Sequence, residues 1–268
     1  MKIAVYIGKE ETGGGTRVRE MLARLEASGV SLYFVTEGQT LDAETDMLMS
    51  VGGDGTFLTA SKLVAHLGIP VVGVNLGRLG FLSENRPEDV AEALLAGDYS
   101  LEDRAMLRAE LKDDYAEYYA LNEITVHRSG AAMLGVDVTI DGVTLPTYWA
   151  DGLIVSTSSG STAYSLSAGG PIVLPASKVL IITPIAPHNL NVRPLVIPDS
   201  AEITLKVCSR DSDVIFTSDN RSVSVKEGAE LMISLAQFSL KRVRLNKSDF
   251  INALTEKLYW GEDVRNIK

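Results

Sequence analysis

Cys208 is the only cysteine in the chain, so no internal disulfide can form and a reducing compartment is the simple expectation. Basic residues are also scarce. Lys plus Arg number 25 against 35 Asp plus Glu, a formal net charge of −10. That deficit argues against a broad nucleic-acid or anionic-membrane surface, since both need a basic face. Long apolar runs are missing as well. Met1 to Gly8 is too short for a secretory signal, and no segment approaches the ~20 residues of a membrane-spanning helix. His66, His127 and His188 are too scattered to suggest a metal site. These shortages predict a soluble, cytoplasmic protein that engages neither nucleic acid nor membrane.

What the chain does have is ordinary globular material: 268 residues, 46% hydrophobic and 22% charged, enough for two modest domains or one large one. Its organising stretch is Leu48-Met49-Ser50-Val51-Gly52-Gly53-Asp54-Gly55-Thr56-Phe57-Leu58. An apolar run ends in glycines that permit a sharp turn, and Phe57, Ala60, Val64 and Leu67 then recur at helical spacing. Strand, glycine turn, helix is how an open α/β sheet presents backbone N–H groups to phosphate. Asp54 stands in that turn, where a base would be wanted. A tight turn with Asp54 as helix cap is the plain alternative.

Ile3 to Ile7 reads as a first buried strand, followed by the glycine-rich Gly8 to Arg17 and a helix with Val18, Leu22 and Leu25 on one face and Gly29 as its stop. The triple glycine Gly13-Gly14-Gly15 suits either closure over a nucleotide or a simple surface loop. Val30–Val35 and Pro70–Asn75 are further strands, and Pro87 and Gly97 bracket another helix. After about residue 100 the runs become short and alternating: Tyr118–His127, Gly135–Ile140, Tyr148–Thr157, Val179–Thr183, Glu202–Val207, Val214–Thr217, Leu231–Leu235 and Leu240–Leu245. Asp141-Gly142 marks a hairpin. Ser248 is a cap for a last helix carrying Phe250, Leu254 and Leu258. The pattern predicts an N-terminal α/β domain with a Rossmann-like parallel sheet over residues 1–100, a β-sandwich-like domain over 101–245, and a helix in 246–268 that returns to the first domain.

The central turn lacks the lysine of a P-loop and the G-x-G-x-x-G spacing of a dinucleotide fingerprint. Gly52-Gly53-Asp54-Gly55-Thr56 instead resembles the nucleotide-binding motif shared by NAD kinases, diacylglycerol kinases and sphingosine kinases, with phosphofructokinases more distant. Four further stretches resemble NAD kinases in particular. They are Gly73-Val74-Asn75-Leu76-Gly77-Arg78-Leu79-Gly80-Phe81-Leu82, then Leu121-Asn122-Glu123, then Asp151-Gly152 with Ser159 to Pro171, and finally Pro184-Ile185-Ala186-Pro187-His188 running into Arg193-Pro194-Leu195-Val196. The matches keep family order from about residue 46 to 198.

The resemblance implies transfer of the terminal phosphoryl group of ATP, or of polyphosphate, to the 2′-hydroxyl of the adenosine ribose of NAD. Asp54 matches the family's proton-accepting aspartate, and Gly52, Gly53, Gly55 and Thr56 form the nucleotide-binding turn around it. Mg²⁺ or another divalent cation is implied to arrive with ATP, since the chain shows no ligand cluster. Asn122 and Glu123 match the pair that holds the adenosine half of NAD, and Asp151 the aspartate that contacts the substrate through the nicotinamide carboxamide. Thr162, Ala163, Tyr164, Ser165, Leu166 and Ser167 match the substrate-binding run, and Ala186 a position that meets the ligand by its backbone. The family also implies a homodimer or homotetramer.

Two positions depart from the family pattern. Trp149 stands where a basic or polar residue is common, and Asp219-Asn220-Arg221 where Asp-Gly-Gln is common. Trp149 suits stacking on a base or filling a core; Arg221 suits a phosphate, a neighbouring subunit or solvent. Lys9, Arg17 and Arg78 flank glycine loops and suit either phosphate contact or solvated surface; Cys208 reads as a small buried hydrophobe. A diacylglycerol-type lipid kinase shares the glycine turn, but Asn122-Glu123, Thr162–Ser167 and the lack of a basic membrane-facing patch weigh against it. An idle NAD-binding regulator is the rival of another class; an intact Asp54 weighs against that.

Overall fold

The computed structural model describes residues 1–8, 15–64, 66–77, 80–112, 116–209, 213–246, 250–258 and 260. Lys9, Arg78, Gly13, Gly14 and the helix cap expected at Ser248 lie outside them. The chain divides into two compact units, Met1–Asp103 with Leu240–Lys268, and Arg104–Ser239.

The first unit alternates strand and helix: β1 (Lys2–Ile7), α1 (Gly15–Ala27), β2 (Ser31–Val35), β3 (Met47–Val51), α2 (Asp54–Val64), β4 (Val71–Val74) and α3 (Pro87–Ala96). Its strands are parallel in the order β4-β3-β1-β2. Every residue of β3 and β4 is buried, as parallel strands covered on both faces require. Along β1, Ile3 and Val5 face a core with Val18, Met21 and Leu25 of α1 and Val90 and Leu94 of α3. Phe57 of α2 packs on the opposite face, against the backbone of Gly73 in β4. Pro87 opens α3, and Gly97 closes it at φ 68. Leu67 was expected on the buried face of α2, but the helix ends at Val64 and Leu67 is exposed.

Successive connections run to opposite sides of β1. The sheet therefore has a topological switch point between β1 and β3, and Gly8 and Gly52 lie at the carboxyl ends of those strands. Ligands of open α/β sheets bind at such a point.

The remaining elements are β5 (Tyr99–Leu111), β6 (Glu117–Ala120), β7 (Glu123–Arg128), β8 (Leu134–Ile140), β9 (Val143–Thr144), β10 (Tyr148–Ala150), β11 (Gly152–Thr157), a 3₁₀ turn (Ser159–Thr162), α4 (Tyr164–Ser167), β12 (Val179–Ile185), β13 (Leu195–Pro198), β14 (Ile203–Ser209), β15 (Asp213–Ser218), β16 (Arg221–Lys226), β17 (Glu230–Leu245) and α5 (Phe250–Leu258). In the second unit, one antiparallel sheet runs β13-β12-β11-β7-β15-β16. The other includes β10-β8-β14 and the first part of β17. Both contribute to one core, from Ile124, Val126, Leu153 and Phe216 on one sheet to Val136, Leu205 and Leu231 on the other. Asp141 and Gly142 turn the β8–β9 hairpin at φ 47 and 81, both positive as a type I′ turn demands.

Four expected strands are built differently. Tyr118–His127 is two strands broken at Leu121-Asn122, where Asp219 accepts the backbone N–H groups of residues 121 and 122 and of Glu123, which opens β7. Tyr148–Thr157 is broken at Asp151. The runs Leu231–Leu235 and Leu240–Leu245 are one continuous strand, β17, whose end runs parallel to β4 through Arg242 and Val71. The last helix packs in the first unit, with the Phe250 ring 5.9 Å from that of Phe81.

Candidate active site

In the first unit the site is built around Asp54. Gly52 leaves β3 with φ 146, a conformation open to glycine, and donates its N–H to Val74 O at 2.9 Å. A side chain at Gly8 or Gly52 would meet the Thr56 hydroxyl at 2.6 or 2.4 Å, so both glycines let Thr56 close the turn. Gly53 and Gly55 are exposed, leaving their backbone open to a ligand at the start of α2.

The carboxylate of Asp54 is held by a neighbouring loop. Oδ2 accepts the Phe81 N–H at 2.8 Å, while Oδ1 accepts the Leu82 and Ser83 N–H groups at 3.1 and 2.8 Å. Gly80 passes so close that a Cβ there would lie 1.7 Å from Oδ1. The Ser83 hydroxyl returns to Gly52 O at 2.7 Å, and Asn75 Nδ2 donates to Ser83 O at 2.9 Å. Turn and loop thus fix the Asp54 side chain from both ends. Arg17, a phosphate candidate by sequence, donates to Leu76 O and pairs with Glu88, each at 3.4 Å.

The second unit gathers the other candidates. Asp219, at φ 50, accepts the N–H groups of Leu121, Asn122 and Glu123 at 2.8, 2.9 and 3.2 Å. Thr157 N–H donates to Asn122 O at 2.9 Å, and a side chain at Gly160 would come within 2.1 Å of that oxygen. Glu123 faces Ser156 across the β7–β11 ladder, and its Oε2 is buried with no hydrogen-bond partner among the described residues. Burial, followed by the charge of Asp219, pushes its carboxyl up to about 8, against a smaller opposing effect of the Tyr164 N–H. Glu123 is therefore protonated at neutral pH and has a hydrogen to donate.

Thr162 to Ser167 follow as the end of the 3₁₀ turn and α4. The Ser165 hydroxyl lies 2.9 Å from that of Thr183 in β12, and Thr162 Oγ1 donates to Ser159 O at 3.3 Å. Tyr164 stacks on His127 with ring centroids 5.6 Å apart and planes at 17°, and its ring remains partly open to solvent. Burial lowers the pKa of His127, so it stacks as a neutral ring. Asp151 is clasped by Arg128, Nε to Oδ1 at 2.7 Å and Nη2 to Oδ2 at 3.4 Å. Ala186 adopts φ 44, a strained value for a residue with a side chain, and exposes its backbone just after β12.

Trp149 lies against the backbone of Gly135, is 41% exposed, and borders a cavity of about 640 Å³ with Met133, His188 and Cys208. Arg221 heads β16, a strand exposed except at Val225. Cys208, expected to be buried, is only partly so, and its thiol faces the Asp137 carboxylate at 3.8 Å. The sequence did not single out the amides of residues 81–83, Arg128 or the stacking partner of Tyr164. The positive φ of Asp219 is the one with a local signal, since Asp-Asn pairs favour turns.

Two family models match this chain, the ATP-NAD kinase N-terminal domain over residues 14–98 and the ATP-NAD kinase C-terminal domain over residues 121–245. The chain belongs to the NAD kinase family. Among curated NAD kinases, that of Flavobacterium psychrophilum is 45% identical over 234 residues, 84% of this chain and 80% of that protein. The NAD kinase of Porphyromonas gingivalis is 36% identical over 286 residues, covering 98% and 99%. A crystal structure of yeast NADH kinase complexed with NADH superposes with a TM-score of 0.90 at 26% identity, covering 100% of this chain and 90% of that one. An NAD kinase from Archaeoglobus fulgidus in complex with ATP gives 0.76 at 30% identity, covering 92% and 95%. As an NAD kinase the chain phosphorylates NAD to NADP, which sets aside the lipid kinase and the idle regulator.

Proposed function

We propose that Asp54 orients and deprotonates the ribose 2′-hydroxyl of NAD for attack on the terminal phosphorus of ATP. The supporting observation is the loop around its carboxylate. A carboxylate offers about four lone-pair positions, and the N–H groups of Phe81, Leu82 and Ser83 take three, leaving one on Oδ2 for an incoming hydroxyl. The bond from the 2′-oxygen to phosphorus forms as the bond to ADP breaks, and the proton passes to Asp54. Phosphoryl transfer has a loose transition state, so a carboxylate fixed in advance contributes mainly by aligning the nucleophile.

The exposed backbone of Gly53 and Gly55, with Gly52 and Thr56 shaping the turn, receives the phosphates. No group of carboxylate, His or Cys side chains among the described residues would hold a metal, so a divalent cation, Mg²⁺ by preference, would be held by ATP and would supply neutralisation of phosphate charge. Both Asp54 oxygens are engaged by N–H donors, which fits an ion carried by the nucleotide and its waters. ATP is the donor favoured over polyphosphate, in line with the family description and with the ATP complex of the Archaeoglobus enzyme.

For NAD, the Asn122 amide reads the adenine edge and the protonated Glu123 bonds a ribose oxygen. Tyr164 offers its ring to a base, with Thr162, Ala163, Ser165, Leu166 and Ser167 shaping the surface around it. Asp151, oriented by Arg128, and the Ala186 backbone take the nicotinamide carboxamide. The first unit accordingly serves the nucleotide donor and the second NAD. The exposed apolar residues Leu190, Leu195 and Val196 at and before the edge strand β13 support a homodimer or homotetramer. One cysteine, and no helix among the described residues long and apolar enough to cross a membrane, support a cytoplasmic location.

The test is a coupled assay with NAD, ATP and Mg²⁺, with NADP read by an NADP-specific dehydrogenase. Asp54→Asn is expected to lower kcat by at least about 100-fold, the scale of a lost acid–base group. A variant as active as wild type would remove Asp54 from the mechanism.

A further inference from the structure

The loop that holds Asp54 is itself gripped from outside. Three of its carbonyl oxygens are each met by a side-chain donor. Asn75 takes Ser83 O, Arg242 Nε takes Leu82 O at 3.2 Å, and the ammonium of Lys257 takes Gly80 O. Asn75 follows β4 and Arg242 belongs to β17, so both are set by the sheet. Lys257 comes from α5, the last helix, and grips the loop at Gly80, where the Asp54 carboxylate leaves no room for a side chain.

Lys257 makes a second contact there. Its Nζ stands 4.1 Å from the centroid of the Phe81 ring, whose other neighbour is the Phe250 ring at the start of α5. Phe81 is also the residue whose N–H holds Asp54 Oδ2. The ammonium feels the carboxylates of Asp54, Glu84 and Glu256 and the guanidinium of Arg242, and burial lowers its pKa against the pull of those carboxylates. An ordinary surface lysine has no such set of neighbours.

We propose that Lys257 is a positioning residue for the reaction: from α5 it clamps Gly80 and Phe81 so that the Phe81 N–H holds Asp54 Oδ2 in the attacking geometry. This rests on the role given to Asp54 above. Lys257→Met keeps the stem over Phe81 and removes the ammonium. Lys257→Arg keeps a cation able to reach both the carbonyl and the ring. Loss of the clamp is expected to lower kcat roughly tenfold through misalignment, with KM for NAD within about twofold of wild type, and Lys257→Arg to recover most of the loss.

The experiment is steady-state kinetics on the full chain for wild type, both Lys257 variants and Asp54→Asn, with amide hydrogen exchange on wild type and Lys257→Met. Exchange at Phe81 and Ser83 should rise several-fold in Lys257→Met while Met47–Val51 of β3 stays protected. Wild-type kcat in Lys257→Met beside an inactive Asp54→Asn would overturn this proposal alone. An active Asp54→Asn would overturn the role of Asp54 as well. Loss of kcat together with a raised NAD KM and faster exchange in β3 would mark general loosening of the unit and would equally overturn the clamp.

Discussion

Glu123 shows most clearly what placement does to a single residue. Its type suggests an ionised acceptor, yet burial beside Asp219 pushes the carboxyl from 4.5 to about 8. Because the folded-state value is raised, the stabilising proton is fully bound below about pH 4.5 in both states. That contribution is lost as pH rises through about 8, where the native protein must bury a charge. Wild type should therefore lose thermal stability between about pH 5 and about pH 9, by several degrees more than Glu123→Gln, whose neutral amide does not titrate. Thermal midpoints measured across that range check it; parallel curves would contradict the buried, protonated state. Gly80 and Gly160 make the complementary point, since each is a gap that lets Asp54 or the Asn122 backbone approach.

Among elements, the break between β6 and β7 carries the proposed NAD contacts Asn122 and Glu123. Leu121 and Asn122 leave the ladder, and Asp219, nearly a hundred residues on, accepts their N–H groups together with that of Glu123, the first residue of β7. Asp219→Asn keeps the positive φ but turns one acceptor into a donor facing an N–H, leaving buried groups unpaired at a cost of about 1–3 kcal/mol. It should lower the thermal midpoint by a few degrees and raise KM for NAD several-fold with little change in kcat, as steady-state kinetics would show. Elements of this kind mark where sequence stops being legible. Pro87, Gly97 and the Asp141-Gly142 turn are local signals, and the structure places each where the sequence expects it. The glycine turn around Asp54 is legible for the same reason. The break at Asp151 falls on an Asp-Gly pair of the same kind, whereas the break at Leu121-Asn122 and the union of two apolar runs into β17 have no such signal. At Leu121-Asn122 the N–H groups go to a distant partner, and β17 continues through residues whose alternation alone does not distinguish a loop from a strand. The grip of Lys257 on the Asp54 loop is invisible at sequence level because it needs α5 folded back into the first unit.

At the scale of the whole molecule, the account divides labour between the two units. The first carries Asp54, its loop and the glycine turn; the second carries Asn122, Glu123, Asp151, the Thr162–Ser167 run and Ala186. The family models match residues 14–98 and 121–245, most of each unit, and the acidic balance of −10 leaves phosphate charge to local backbone amides and a few basic side chains. If chemistry belongs to the first unit and NAD recognition mainly to the second, catalysis and NAD affinity can be separated by one substitution. The most direct measurement is a calorimetric titration of NAD into Asp54→Asn beside wild type. The account predicts a Kd within about threefold of wild type in a protein that has lost turnover, as expected for an interaction made chiefly in the transition state. Loss of NAD affinity along with activity would contradict it, making Asp54 an NAD-binding residue first and removing the division of labour between the units.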